Sequence, residues 1–228
     1  MKNTRNHRAQ YLILALWVAC LMPQCGRDSL ETAKTLLENG DYLAARKVYE
    51  RVLDRQPRDF AAHFGLGMTW SAEAIYKTEI GLARPSDWYP AIYHMTVAGH
   101  LETNDRVRRT LAILHFNLGA CYLKQGERDL AMQRIIQAVA YDSTLSKANN
   151  LLGALYHEQG DFDNAERCYR RILMIEPDHA MAHFNLGALA WAKKDFKEAE
   201  KDFASAVADE PDNAYFKTWL SKALTGGR

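Results

Sequence analysis

Cysteine, proline and glycine are scarce, at 4, 6 and 13 of 228 residues. Four thiols are too few for a disulfide-built mini-domain, and glycines without a three-residue period exclude a collagen-like polymer. An excess of charge is missing as well, since 29 Lys and Arg face 28 Asp and Glu. A chain so balanced lacks the basic stripe that holds nucleic acid by releasing counterions, so no nucleic-acid partner is expected. Long apolar runs are also absent. Residues 11–22 (YLILALWVACLM) are closed by Pro23, well short of the roughly 20 residues a helix needs to span a bilayer. What is present is a 48% hydrophobic, 25% charged chain that can bury a core in one or two domains.

Lys2, Arg5 and Arg8 precede the apolar run, and the first ten residues hold no acid. This is the pattern of an export signal. Cys20 follows Val18-Ala19, and Cys25 precedes Gly26-Arg27-Asp28-Ser29; a small residue before a cysteine at this place resembles the lipobox of bacterial lipoproteins. Cys20 has Ala19 in the small-residue slot but Trp17 where that family prefers leucine, whereas Cys25 has the polar tether but Gln24 in the slot. The resemblance implies acylation of Cys20 or Cys25 and attachment to a membrane through lipid. The alternative is an ordinary secretory signal that removes both. Loss of residues 1–24 takes away three cations and no acid, turning the formal charge from +1 to −2. Cys121 and Cys168 remain, and buried free thiols are expected for them.

The main signal is internal repetition. HFNLGACYLKQGERDLA at 115–131, NNLLGALYHEQGDFDNA at 149–165 and HFNLGALAWAKKDFKEA at 183–199 align with a period of 34. Gly119, Gly153 and Gly187 fall in register, as do Ala131, Ala165 and Ala199, then Ile135, Tyr169 and Phe203, then Ala138, Ile172 and Ala206. Small residues at one helical position let two helices of a hairpin approach, and a larger side chain there costs roughly 1–3 kcal/mol. Gly126-Glu127 and Gly160-Asp161 mark the turn between helices, where glycine supplies a left-handed end and an acid suits the next start. Pro177 and Pro211 then end the second helix of their units.

This register resembles the tetratricopeptide repeat family, with its Leu-Gly pair, Tyr122 and Tyr156, the Gly-acid-aromatic turn and the alanines in place. The resemblance implies an all-α solenoid, a right-handed superhelix of antiparallel hairpins with a capping helix. Its units would be 112–145, 146–179 and 180–213, preceded by a degenerate repeat at 26–59 (Gly40-Asp41-Tyr42, Ala45, Tyr49, Pro57). Another, at 60–103, opens on His63-Phe64-Gly65-Leu66-Gly67. That unit carries an insertion around 71–89, since Ala91 stands 12 residues beyond the place its counterparts take. Residues 104–111 are a shorter departure, and 214–228 supply a cap for the exposed end of the last repeat.

Catalytic signatures are missing: no phosphate-cradling glycine loop, nucleophile elbow, His-Glu-x-x-His or Cys-x-x-Cys occurs. No enzyme activity, cofactor or metal is expected. His63, His115 and His183 occupy one slot of different repeats, and packing between hairpins accounts for them. His94 and His100 lie on different faces of a helix, and Asp161, Asp163 and Glu166 suit a helix start before they suit acid catalysis. Glu73, Glu79 and Asp87 do not by themselves make a site in the insertion.

The resemblance further implies a concave groove lined by the first helix of each hairpin, holding an extended peptide or a helix, with asparagines clamping its backbone. Carried onto this chain, the groove positions are Phe64 and Met68, Phe116, Asn117 and Lys124, Lys147, Asn150 and His157, and Phe184, Asn185, Ala188 and Trp191. Asparagine suits the task because its amide both donates and accepts. For the phenylalanines, packing between repeats is the stronger expectation, and Trp191, one position after the buried slot of Ala190, is the expected anchor. The lysine and arginine positions of the family's carboxylate clamp hold Ile113, Met181 and Asn185, which disfavours an acidic C-terminal tail as ligand.

The expected function is therefore a non-enzymatic scaffold in the periplasm or cell envelope, binding a peptide or helix of an envelope component and assisting its assembly or localisation. The order of exported anchor and repeats resembles pilotin-type lipoproteins of pilus and secretion systems. A regulatory subunit of an envelope enzyme, such as a peptidoglycan hydrolase or protease, is the rival reading. Exposed aromatics also leave self-association open.

Overall fold

Ten residues at 29–38 open a series of helices in the computed structural model, which describes residues 29–226. After this first segment, α1, come α2 (Tyr42–Arg55), α3 (Phe60–Glu79), α4 (Tyr89–Leu101), α5 (Asp105–Lys124) and α6 (Arg128–Tyr141). Then follow α7 (Ser146–Glu158), α8 (Phe162–Ile175), α9 (Ala180–Ala192), α10 (Phe196–Asp209) and α11 (Ala214–Leu224). No strand occurs among the described residues. Cys20 and Cys25 lie outside them.

The turns follow from local chemistry. Gly40, Gly126 and Gly160 have φ of 78°, 81° and 77°, the left-handed conformation that ends a helix at little cost only for glycine. At each, two amides bond back to the preceding helix, as Gly160 N–H does to His157 O and Asp161 N–H to Tyr156 O. After Gly40 and Gly160 the next residue caps the following helix: Ala44 N–H donates to Asp41 Oδ1, and Asn164 N–H to Asp161 Oδ1, both at 3.1 Å. The fourth such turn keeps the geometry but holds Lys194 in the glycine position, at φ 64°.

Packing explains the repeat register. A methyl built on Gly153 falls 2.6 Å from Tyr169 Cε1, and one on Gly187 falls 2.7 Å from Phe203 Cδ1, so in these two hairpins the helices touch backbone to ring. Ala131, Ala165 and Ala199, with Ala138, Ile172 and Ala206, are fully buried.

Hairpins group into two compact units, and the division falls within α5, between Thr110 and Leu111. In the N-terminal unit, Ala33, Ala45, Tyr49, Val52, Ala62 and Leu66 form the core of the α1–α2 hairpin and α3. The insertion lengthens α3 to 20 residues against 13 in α7 and α9, and then forms a 3-10 turn, Pro85–Asp87, before α4. Residues 105–110 of the second departure extend the start of α5.

The C-terminal unit has a chain of small cores, each shared by neighbouring helices. Ile135, Ala138, Ala148, Leu152 and Leu155 form one, Tyr169, Ile172, Ala182, Leu186 and Leu189 the next. The last is closed by α11, whose Phe216 and Ala223 pack on Phe184, Ala199, Phe203 and Ala206. Cys121 and Cys168 are both buried.

Candidate functional site

The first helix of each hairpin is held to the chain before it by a repeated side-chain bond. His63 Nε2 lies 3.1 Å from Pro57 O, and His183 Nε2 lies 3.0 Å from Pro177 O. Asn149 occupies the same slot, is fully buried, and donates to Ser143 O at 2.9 Å and Leu145 O at 3.1 Å. The bonds to Pro57, Pro177 and Ser143 each span six residues, so the ring or amide satisfies a turn carbonyl that the helix does not reach. His115 breaks the rule, because six residues before it is Arg109, inside the extended α5. Its ring stacks on Tyr141 at 5.4 Å instead, and burial, with Arg134 nearby, lowers its pKa to about 4.

Beside these fixed residues stand the expected groove positions. Asn185 Nδ2 donates to Asn150 Oδ1 at 2.8 Å, joining α9 to α7. Asn150 is not the counterpart of Asn117 and Asn185 but of Phe116 and Phe184, one position earlier in the 34-residue register, where Leu151 holds the asparagine slot. The pair leaves the Asn150 amino group and the Asn185 oxygen free to meet a peptide group. Asn117 is half-buried, and Lys124 and Lys147 are exposed. Ile113, Lys147, Met181 and Tyr215 follow one another at the same slot, and all four are exposed. Met68, Ala188 and His157 are half-buried; His157 packs its ring edge against Phe162 at 5.6 Å, and burial lowers its pKa.

Phe184, carried onto the groove but expected more strongly to pack between repeats, is 7% exposed and a core residue: its ring lies 5.0 Å from Phe216, 5.1 Å from Tyr215 and 5.3 Å from Phe203. One expectation is corrected: Trp191 is not a free anchor. It packs edge-on against Phe196 at 4.9 Å and Trp219 at 5.7 Å, and belongs to the periphery of the core that α11 closes. Its place one position after the buried slot of Ala190 suggests exposure, which Phe196 of α10 and Trp219 of α11 remove. Phe116 is half-buried against the Ile135 core. Phe64, in the N-terminal unit, stacks on Phe60 at 5.9 Å under the Arg106 guanidinium at 4.8 Å.

Tyr215 and Trp219 were missed, although they stand one period after Met181 and Asn185. The acids carry structural duties. Glu166 lies between Arg170 and Lys193, and its bond to Lys193 holds its carboxyl below the usual range. Burial first and Glu198 second raise Asp202 to about 6. No three His, Cys, Asp or Glu side chains of the described residues converge as a metal site would.

Residues 30–70 and 150–215 match the tetratricopeptide repeat family model. Among solved structures, two of MamA align with TM-scores of 0.53 and 0.51 at 24% and 26% identity. They cover 84% and 80% of this chain, and 95% and 96% of their own. YrrB, described as a TPR protein with an unusual peptide-binding site, aligns at 18% identity and TM-score 0.53, over 86% of this chain and 90% of that one. No curated protein matches the sequence. The glycine-to-ring crossings, the glycine-acid turns and the matched segments together make this chain a tetratricopeptide repeat protein.

Proposed function

We propose that the chain is a non-enzymatic interaction scaffold that binds a peptide or helix of a partner protein along the first helices of its C-terminal unit. The observation that carries this reading is the Asn150–Asn185 bond. Side-chain amides of adjacent repeats are fixed in orientation there, with a donor and an acceptor still to be used, flanked by the exposed Ile113, Lys147, Met181 and Tyr215. Such a row offers hydrogen bonds to a backbone and apolar area to side chains, the two components of peptide recognition. The peptide-binding site that the description of YrrB mentions is consistent with this use of the fold.

The setting proposed is the cell envelope, with the chain exported and held at a membrane through Cys20 or Cys25, where it assists assembly or localisation of an envelope component. This part rests on the basic, apolar and cysteine-containing order of residues 1–25. No helix of the described residues is long and apolar enough to cross a membrane. A regulatory role toward an envelope hydrolase or protease would use the same groove.

Affinity capture from native membranes tests the reading, comparing the natural chain with an Asn117→Ala, Asn185→Ala variant. Trp191 is left intact because it supports the core. One envelope partner that is enriched with the natural chain and lost with a variant of unchanged helicity supports the groove. Equal recovery by both chains would place binding elsewhere. Intact mass of the mature protein decides the anchor, since an acylated Cys20 or Cys25 becomes the first residue.

A further inference from the structure

Ile113 of α5, Lys147 of α7, Met181 of α9 and Tyr215 of α11 follow one another at 34-residue steps, and all four are exposed. The helices that carry them touch in turn. Phe116 and Leu123 of α5 pack on the core that holds Ala148 and Leu152 of α7, Asn150 of α7 is bonded by Asn185 of α9, and Phe184 of α9 stacks on Phe216 of α11 at 5.0 Å. Helices in direct contact have axes about 8–10 Å apart, so one slot of the row follows the next at about that distance.

That spacing separates the backbone forms that could cross the row. In a β-strand one face recurs every second residue, at about 7 Å, and then only at about 13 Å. In polyproline II one face recurs every third residue at about 9 Å, which matches the slots. An α-helix also comes close, with seven residues over about 10.5 Å, but its amides and carbonyls are already bonded to one another. The oriented donor and acceptor of the Asn150–Asn185 pair would have no backbone group to meet on it, whereas polyproline II leaves every peptide group open.

The end of the row suits the same form. Tyr215, 58% exposed, and the half-buried Trp219 meet edge to face at 6.4 Å and 71°, and Phe184 supports the Tyr215 ring at 5.1 Å. Lys222 Nζ lies over the Trp219 ring at 4.4 Å, which leaves Tyr215 as the more open of the two. Aromatic rings held in this way are the surface on which proline-rich segments dock, and such segments lose little entropy on binding.

We propose that the partner segment in this groove is bound as polyproline II, with every third side chain against one slot of the row and a proline against Tyr215. This deepens the groove reading given above and rests on it.

Random peptides of about twelve residues displayed on phage test it, since four slots span roughly ten residues of polyproline II. They are selected on the full chain and on two variants, Asn185→Ala and Tyr215→Ser. Circular dichroism verifies that each variant folds, and Met181→Ser, in the same row, takes the place of Tyr215→Ser if that variant unfolds. The expected pool is rich in proline and repeats its fixed positions every third residue. Both variants recover it less well, Tyr215→Ser by at least about tenfold. A pool lost on the same variants but patterned at three and four residues, as a helix is, or at every second residue, as a strand is, overturns the polyproline II form and leaves the groove standing. A pool without any three-residue period, or one lost on only one variant, overturns it too, because the form requires both the backbone contact and the ring. An empty pool, or one that both variants recover as well as the natural chain, overturns the groove reading and this proposal with it.

Discussion

His63 and His94 hydrogen-bond Nδ1 to Nδ1 at 3.0 Å, linking α3 to α4. His63 Nε2 faces the carbonyl of Pro57, which can only accept, so that nitrogen carries the proton and, in the neutral ring, Nδ1 does not. His94 must then donate from its own Nδ1. Burial, and secondarily His63, lower His94 to about 4 from its ordinary 6.5, and burial does the same to His115.

A native pKa below the unfolded one means that the unfolded chain takes up protons first. The stabilising contribution is complete above about pH 6.5 and is lost as pH falls toward about 4. Replacement of His94 by Asn keeps a donor near the Nδ1 position without the titration. Denaturant titrations across this range should show a flatter acid limb for His94→Asn, and a neutral-pH loss of about 1–3 kcal/mol for His94→Leu, which leaves His63 unpaired. A variant acid limb as steep as that of the natural chain would contradict the assignment.

Asp202 has the opposite sign. Its pKa is raised to about 6 from 3.8, chiefly by burial, so its contribution is favourable below about pH 3.8 and is lost as pH rises through about 6. Asp202→Asn should therefore stabilise the protein at pH 7, by about 1–2 kcal/mol after allowance for its remaining contact with water. The gain should vanish in acid, and a pH-independent difference would show that ionisation is not its source.

Gly153 and Gly119 separate two forms of close contact. The ring of Tyr169 at Gly153 is 1% exposed and hemmed in, whereas Gly119 meets the end of a flexible Ile135 chain first, with Ala131 O at 3.2 Å. Gly153→Ala should cost roughly 2–3 kcal/mol in chemical denaturation, at the upper end for overpacking, and Gly119→Ala less. An equal cost at both sites would show that the backbone rather than the ring sets the penalty.

Features that recur every 34 residues were open to sequence reading: the crossing glycines, the buried alanines, the glycine-acid turns and the capping helix. Those depending on what lies beyond one repeat were not. Trp191 reads as exposed until α11 brings Trp219 to it. The His63–His94 bond depends on how the insertion sets α4 against α3, and no periodic signal carries that. Asn149 is intermediate: its register with His63 and His183 was visible, but the task they share, satisfying a carbonyl six residues back, appears only once the turns have coordinates. The groove was legible only as a slot pattern. That Asn150 bonds Asn185 from the neighbouring slot is a contact between α7 and α9, which the pattern within one repeat does not encode.

Trp191 supplies a test of site against core. With Phe196 and Trp219 as neighbours, Trp191→Ala removes two aromatic contacts and leaves a gap, at an expected cost of roughly 2–4 kcal/mol. Asn185→Ala removes one amide pair at the surface and should cost about 1 kcal/mol or less. Thermal denaturation of the two variants distinguishes them. A Trp191→Ala protein as stable as the natural chain would return that residue to the groove.

Lys194 is the one described non-glycine residue with positive φ, at 64°, in the position that Gly126 and Gly160 hold in the preceding repeats. The bonds it makes are those of a glycine turn: Lys194 N–H to Trp191 O and Asp195 N–H to Ala190 O, both at 2.9 Å. A side chain in this conformation costs about 1–2 kcal/mol. Glycine removes that strain but adds freedom to the unfolded chain, which returns part of the gain. Lys194→Gly should therefore stabilise the protein by about 0.5–1 kcal/mol, whereas Gly160→Lys should destabilise it by a similar amount, because the same strain is then imposed on a turn that lacks it. Both changes can be measured by urea denaturation. If the two substitutions shift the midpoint in the same direction, turn strain is not the governing term, and the lysine is retained for a contact of its charge instead.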